Sequence, residues 1–340
     1  MKEIGLRSNY LSEKKISTLY FGGGTPSLLT ENQLELIIQS VYSYFEIETN
    51  AEITIEVNPD DLTFEYLQVL SGLPFNRLSI GIQSFNDEEL KFVNRRHTAQ
   101  QAIEAFQSAR KSGFNNISID LIYGLPGQDM NSWNYNIQQA LQMNPEHISV
   151  YGLTFEEGTP LFRQKIKGKI QSADDDKMIK MHQLMMDSLV KNGYENYEIS
   201  NYAKKGKRSR HNSSYWNFSP YAGFGPSAHS FDGVSRQWNV ASVGSYVERI
   251  SKEEVYFEKE VLTDINLMNE FILVKLRTKE GINIKEYDKR FGENDTKNLL
   301  QNISKQSFAP FFEINDQNIC LNNKGILISD YIIMQLMKIE

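Results

Sequence analysis

Cysteine is nearly absent: Cys320 is the only one in 340 residues, so no internal disulfide can form. Nor can a cysteine-based metal site be assembled from this chain alone. Long apolar runs are also missing. None approaches the roughly 20 residues needed to cross a bilayer, and the start Met1-Lys2-Glu3-Ile4 lacks a signal-peptide core. A cytoplasmic chain is the expectation, with membrane association not indicated by the sequence. Positive charge is in deficit, with a formal net charge of −7, which removes any bulk attraction to nucleic acid or anionic lipid. The one basic run, Lys204-Lys205-Gly206-Lys207-Arg208, reads as a short solvated loop rather than a phosphate patch.

What is present is an ordinary globular mix, 40% hydrophobic and 23% charged, long enough for a large α/β domain and a smaller appendage. Short β-branched runs alternate with helical patterns. The expected strands are 16–21, 53–57, 78–82, 117–122 and 147–151. Between and after them lie helical stretches near 31–44, 63–71, 87–112, up to 143, and 175–192. Repeated strand, glycine or proline turn, helix and strand argue for a parallel sheet with right-handed helical crossovers. Polar residues gather just after the strands: Thr25, Asn58 and Gln83. In α/β barrels those ends form the active-site face, although an open doubly wound sheet fits the same rhythm. From Tyr197 to Asn239 the rhythm is lost and the segment reads as irregular. Helical patterning returns at 267–276, and a run at 319–321 with a helix near 329–337 would close a small mixed domain.

Four motifs follow successive strands: Gly22-Gly23-Gly24-Thr25-Pro26-Ser27, Ile55-Glu56-Val57-Asn58-Pro59, Gly81-Ile82-Gln83-Ser84-Phe85-Asn86 and Asp120-Leu121-Ile122-Tyr123-Gly124-Leu125-Pro126-Gly127-Gln128. Each alone is weak, but their order and placement form a specific set. The chain resembles the radical S-adenosylmethionine (SAM) proteins that include oxygen-independent coproporphyrinogen III oxidase and its heme-chaperone relative. His211-Asn212-Ser213-Ser214-Tyr215-Trp216 and Gly223-Phe224-Gly225-Pro226-Ser227-Ala228-His229-Ser230-Phe231 look like the chaperone branch.

The resemblance implies an α/β fold: a partial (βα)6 TIM-like radical SAM barrel, here missing its first strand, plus a small C-terminal α/β, winged-helix-like domain. The corresponding division is 1–196 for the barrel, 197–254 for an aromatic and histidine-rich segment completing it, and 255–340 for the small domain. The family carries a [4Fe–4S] cluster on a C-x3-C-x2-C loop. This chain begins in what looks like the helix after that loop, so its cluster ligands are absent and it is expected to be inactive in radical chemistry.

The implied SAM-binding residues are Gly23, Gly24, Thr25, Glu56, Gln83, Arg95, Asp120 and Thr154. Read without the resemblance, Glu56 is a solvated strand-end carboxylate and Arg95 with Asp120 a structural ion pair, and for Arg95 both readings stay open. The aromatics between Tyr194 and Trp238 form either a flat surface for a porphyrin or packing that seats a loop. His211 and His229 are the candidates for heme contact, whereas His97, His147 and His182 fall in helix or strand patterns and read as structural. The resulting expectation is a carrier that binds heme and passes it to an acceptor protein still to be identified. The alternative is the oxidase that decarboxylates coproporphyrinogen III.

Overall fold

The structure is a computed structural model that describes residues 1–305, 307–315 and 317–338. Its first elements are α1 (Lys2–Leu6), β1 (Lys15–Phe21), α2 (Glu31–Tyr44), β2 (Glu46–Val57), α3 (Phe64–Gly72), β3 (Arg77–Gln83), α4 (Asp87–Phe92) and α5 (Ala99–Lys111). Then come β4 (Ile117–Tyr123), α6 (Met130–Met143), β5 (His147–Gly152), α7 (Pro160–Ile166), α8 (Asp175–Lys191), β6 (Glu195–Glu198), β7 (Asn201–Ala203) and α9 (Arg210–Trp216). The chain continues through β8 (His229–Phe231), β9 (Ser235–Asn239), α10 (Val243–Lys252), β10 (Phe257–Val261), α11 (Asp264–Lys275), β11 (Ile282–Asn283), α12 (Ile284–Phe291) and α13 (Glu293–Ile303). It ends with β12 (Phe312–Ile314), β13 (Asn318–Leu321), α14 (Asn323–Ile326) and α15 (Ser329–Leu336).

Seven strands form one sheet in the order β1-β2-β3-β4-β5-β7-β6. Pairing is parallel from β2 to β5 and antiparallel where β7 and β6 close the far side. Most strands of a covered parallel sheet are apolar on both faces. These alternate instead. Ile53, Ile55, Leu78, Ile80, Ile117, Ile119 and Ile148 are buried on one face. Thr54, Glu56, Ser79, Ser118, Asp120 and Ser149 occupy the intervening positions, so the other face is polar. That polar face carries two of the candidate SAM residues, Glu56 and Asp120.

By contacts the chain divides into two units. One contains Leu19–Glu31 and Glu52–Ser209; the other contains Met1–Thr18, Asn32–Ala51 and the chain from Arg210 onward. Within the second, β8, β9 and β10 form an antiparallel sheet in the order β10-β9-β8. Helices α11–α13 and α15 with the small sheet β11-β13-β12 share a core that includes Phe271, Ile272, Tyr287, Ile303, Ile319 and Ile332. This is the small C-terminal α/β element expected from the sequence.

One segment differs from expectation, and one boundary within an expected helical region shapes the site. The stretch read as irregular from Tyr197 to Asn239 takes in the end of β6 and all of β7, α9, β8 and β9, strands of three to five residues and one helix of seven. Elements so short complete too few repeats to show a period. The helices expected over 87–112 are α4 and α5, which part at Asn94. Asn94 adopts a left-handed φ of 54°, and the Arg95 amide closes onto the Leu90 carbonyl at 2.9 Å. Asparagine tolerates that conformation. Thr98 then starts α5 with a capping box to Gln101. The break takes Arg95 out of helix and frees it for the strand-end cluster.

Candidate functional site

The first cluster lies on the polar face of the large sheet. β1 delivers the chain into Gly22-Gly23-Gly24, where Gly23 has φ +76°. A Cβ on Gly22 would lie 2.5 Å from the Tyr20 ring and 2.8 Å from Glu56 Oε1, so any side chain there would have to displace both. At Gly23 and Gly24 no atom beyond the adjoining residues would stand within 4 Å of a Cβ, which leaves space beside the backbone. Glu56, at the end of β2, accepts the Tyr20 hydroxyl at 2.7 Å and the Gly23 N–H at 3.3 Å. Burial, then the adjacent Glu56, raises the Tyr20 hydroxyl pKa, so it stays a donor. Glu56 thus latches the glycine loop, with lone pairs left for further donors.

Arg95 donates to Asn58 Oδ1 at 2.9 Å. Its Nη atoms lie 3.7 and 3.8 Å, and Gln83 Nε2 3.1 Å, from where a Cβ on Gly81 would stand. Gln83 and Arg95 therefore share the space above a residue that has no side chain. Burial lowers the Arg95 pKa, an effect opposed by the charge of Asp120. Asp120 on β4 accepts from Ser79 at 3.5 Å. Its pKa is pushed up to about 6, chiefly by burial, and also by the charge of Glu56, against the lowering hydrogen bonds from Ser149 and Ser79 and the positive charge of Arg77. Asp120 is thus an electrostatic neighbour of both Glu56 and Arg95. Thr25 and Thr154 are exposed, and Thr25 makes no side-chain cap bond. The sequence reading missed Tyr20, Ser79 and Ser149; the polar alternation along β3 to β5 was the signal that would have found the two serines.

The other unit holds the second cluster, around α9 and the β8–β9 hairpin. Both ring nitrogens of His211 are engaged: Nδ1 with Thr18 Oγ1 and Nε2 with the Tyr215 hydroxyl, each at 2.9 Å. Tyr215 sets its ring edge-on to His211 and to Tyr221, with interplanar angles of 87° and 88°, so it offers no flat stack. Burial raises its hydroxyl pKa to about 12. His229 differs. It is exposed on β8 and lies nearly parallel to Trp238, its cross-strand partner, with centroids 6.3 Å apart and planes 28° apart.

The loop that carries His229 is tied down from α1. Buried Glu3 accepts the Gly225 N–H at 2.7 Å, Asn239 Nδ2 at 2.6 Å and the Tyr246 hydroxyl. Arg7 donates to the Gly223 carbonyl and Ser230 Oγ, both at 2.9 Å. Nothing in the sequence alone distinguishes this i,i+4 pair from a solvated surface pair.

The remaining histidines are buried within the protein. His147 bridges Ser118 Oγ and the Tyr197 hydroxyl at 2.7 Å each, His97 meets the Ile82 carbonyl at 3.0 Å, and His182 packs by Tyr123. The basic run is partly neutralised: Arg208 is bidentate on Glu195 at 2.8 and 3.0 Å, and Lys204 donates to the Asn144 carbonyl at 2.7 Å. The residues present do not fit a [4Fe–4S] cluster. Cys320 stands alone on β13 with Sγ 3.1 Å from the Glu280 carbonyl, and among the described residues no three His, Cys, Asp or Glu side chains converge on a metal position. No helix among the described residues is long and apolar enough to cross a membrane.

The radical SAM superfamily model matches residues 2–139, and the model of the HemN C-terminal domain matches residues 262–328. Heme chaperone HemW of Lactococcus lactis is 33% identical over 312 residues, covering 92% of this chain and 82% of that protein. The chain belongs to the HemW family of radical SAM proteins. HemW of Bacillus subtilis is 34% identical over 281 residues, 82% of this chain and 74% of its own length. The mitochondrial radical S-adenosyl methionine domain-containing protein 1 of Danio rerio is 30% identical over 331 residues, 94% and 74% of the two chains. The solved structure of coproporphyrinogen III oxidase (HemN) from Escherichia coli superposes with a TM-score of 0.84 at 22% identity, covering 99% of this chain and 81% of that one. That likeness establishes the fold, the α/β partial barrel of radical SAM enzymes with its C-terminal domain.

Proposed function

We propose that this chain is a heme carrier built on a radical SAM scaffold, binding heme and passing it to an acceptor protein. Family membership favours this reading, because the HemW relatives are named heme chaperones. The observation that carries it here is the exposed His229 on its Trp238 platform. An imidazole with an accessible nitrogen beside a flat aromatic surface is a suitable axial contact for a porphyrin. His211 is the weaker candidate, since ligation would break one of its two hydrogen bonds. The strand-end cluster of Gly23, Gly24, Glu56, Gln83, Arg95 and Asp120 is proposed as the SAM contact, with Thr25 and Thr154 as peripheral members. SAM when bound is a source of a carbon radical only with a reducing cluster, whose ligands this chain does not contain.

Titration with hemin tests the reading. Saturable binding with a defined Soret band is expected, and His229→Ala should shift or abolish that band while His211→Ala leaves its position unchanged. The reverse pattern would assign the ligand to His211. Absence of saturable binding in the wild-type chain, together with conversion of coproporphyrinogen by a form that carries the cluster, would favour the oxidase reading.

A further inference from the structure

Gln83 ends β3 with φ +70°, and the Ser84 N–H reaches back to the Ile82 carbonyl at 2.9 Å. That is a γ-turn with a positive central φ, a strained conformation for a residue that is not glycine. The register between β3 and β4 also slips between Ile80 and Gln83. Strain of this kind persists only where the surroundings over-determine it.

Those surroundings are unusually complete. The carboxylate of Glu89 on α4 is buried, and four neutral groups donate to it: Ser84 Oγ at 2.6 Å, Gln128 Nε2 at 2.9 Å, Asn136 Nδ2 at 3.1 Å, and the Ser132 hydroxyl. The Asn136 side-chain oxygen accepts the Phe85 N–H, and Ser84 Oγ accepts the Asn86 N–H at 2.9 Å. On the other flank His97 Nε2 contacts the Ile82 carbonyl at 3.0 Å. A carbonyl only accepts, so that nitrogen carries the proton. A charge held by several donors in a dry setting is far stiffer than one in water. Next to this network the Gln83 amide lies over Gly81, on the side where Arg95 also reaches.

We propose that Glu89, with Ser84, Gln128 and Asn136, is a positioning group that clamps the γ-turn at Gln83 and thereby aims its amide at the ligand space shared with Arg95. The ligand half of this rests on reading the strand-end cluster as a SAM contact; the clamp itself does not. Thermal midpoints of wild type, Asn136→Ala, Gln83→Gly and the double variant test the clamp. Glycine relieves strain only while the turn is held. Gln83→Gly should therefore shift the midpoint more favourably in the wild type than in Asn136→Ala, by about 3 °C or more. Equal shifts in both backgrounds would overturn the clamp. Should Asn136→Ala fail to fold, Ser84→Ala removes one link without opening a sizeable void and takes its place in the cycle.

A second readout follows the side chain itself. With glutamine-selective 15N labelling, the Gln83 amide signal is assigned by its loss in Gln83→Gly. In Ser84→Ala it should move toward the free-chain position, while that of Gln101, in the α5 capping box, stays put. A Gln83 signal unmoved in Ser84→Ala would again count against the clamp. Millimolar SAM should perturb the Gln83 signal in wild type and less in Ser84→Ala. If SAM leaves it unmoved in wild type, the ligand reading of the cluster fails, an outcome distinct from additivity in the cycle.

Discussion

Asp120→Asn probes the polar face of the large sheet through pH. The Asp120 carboxyl has its pKa raised from 3.8 to about 6, chiefly by burial and then by Glu56. A raised carboxylate pKa means that the folded state holds the proton more tightly than the unfolded one. The stability gained is complete below about pH 4 and is lost as pH rises through about 6. At about 1.4 kcal/mol per pH unit the full effect is about 3 kcal/mol, of which about half develops between pH 5 and pH 8. Asparagine keeps similar shape and polarity but cannot ionise. The variant should therefore gain about 1.5 kcal/mol on the wild type between those pH values, seen as a midpoint difference growing by about 3–6 °C. Buried His97, His147 and His182, all with lowered pKa, destabilise both proteins alike in acid and cancel in the comparison. Thermal unfolding of both at several pH values is the assay. A difference that does not vary with pH would show that Asp120 ionises freely, and the account of a dry polar face would fall with it.

Anaerobic reconstitution of this chain with iron and sulfide should yield no stoichiometric four-iron cluster by iron analysis or by EPR after reduction, because Cys320 is its only thiol. Four irons per chain would refute that. In the family the cluster anchors the amino and carboxylate groups of SAM, so calorimetry should find affinity no better than about millimolar, some 4 kcal/mol; micromolar binding would contradict this assignment of the energy. Gly22→Ala should destabilise by about 1–3 kcal/mol, since its methyl group would press on Tyr20 and Glu56. Gly24→Ala, with open space around its Cβ position, should cost far less, and equal losses at the two sites would show that the loop rearranges.

The parallel sheet was legible because its signals are local. The expected strand 53–57 falls within β2, 117–122 within β4 and 147–151 within β5, and the helix expected at 31–44 matches α2. Each has a run long enough to show its period and a turn residue to end it. The hairpin β6–β7 and the helix α9 were not legible. Their stability comes from partners distant in sequence, such as the Val150 N–H on the Ser200 carbonyl at 2.7 Å, and from too few residues to carry a pattern. The burial of Glu3 and Arg7 was invisible for the same reason. A short helix with an i,i+4 ion pair looks solvated until the loop at 223–230 is laid over it.

At the candidate sites, illegibility and chemistry coincide. Gln83 sits in a strand yet takes a left-handed φ, and so does Asn94 at the break between α4 and α5. Both departures break local preference, and both serve the same place: the first folds an amide over Gly81, the second releases Arg95 to lie beside it. Local propensity would have straightened the strand and continued the helix, separating the two groups. A folded chain tolerates such conflicts mainly where something is gained elsewhere, and the paired exceptions both fall where Gln83 and Arg95 flank Gly81, next to the hydrogen bonds of Glu89 and Asn136. Glu56 and Asp120, by contrast, obey the strand alternation and reach the polar face without strain, where burial sets the titration of Asp120.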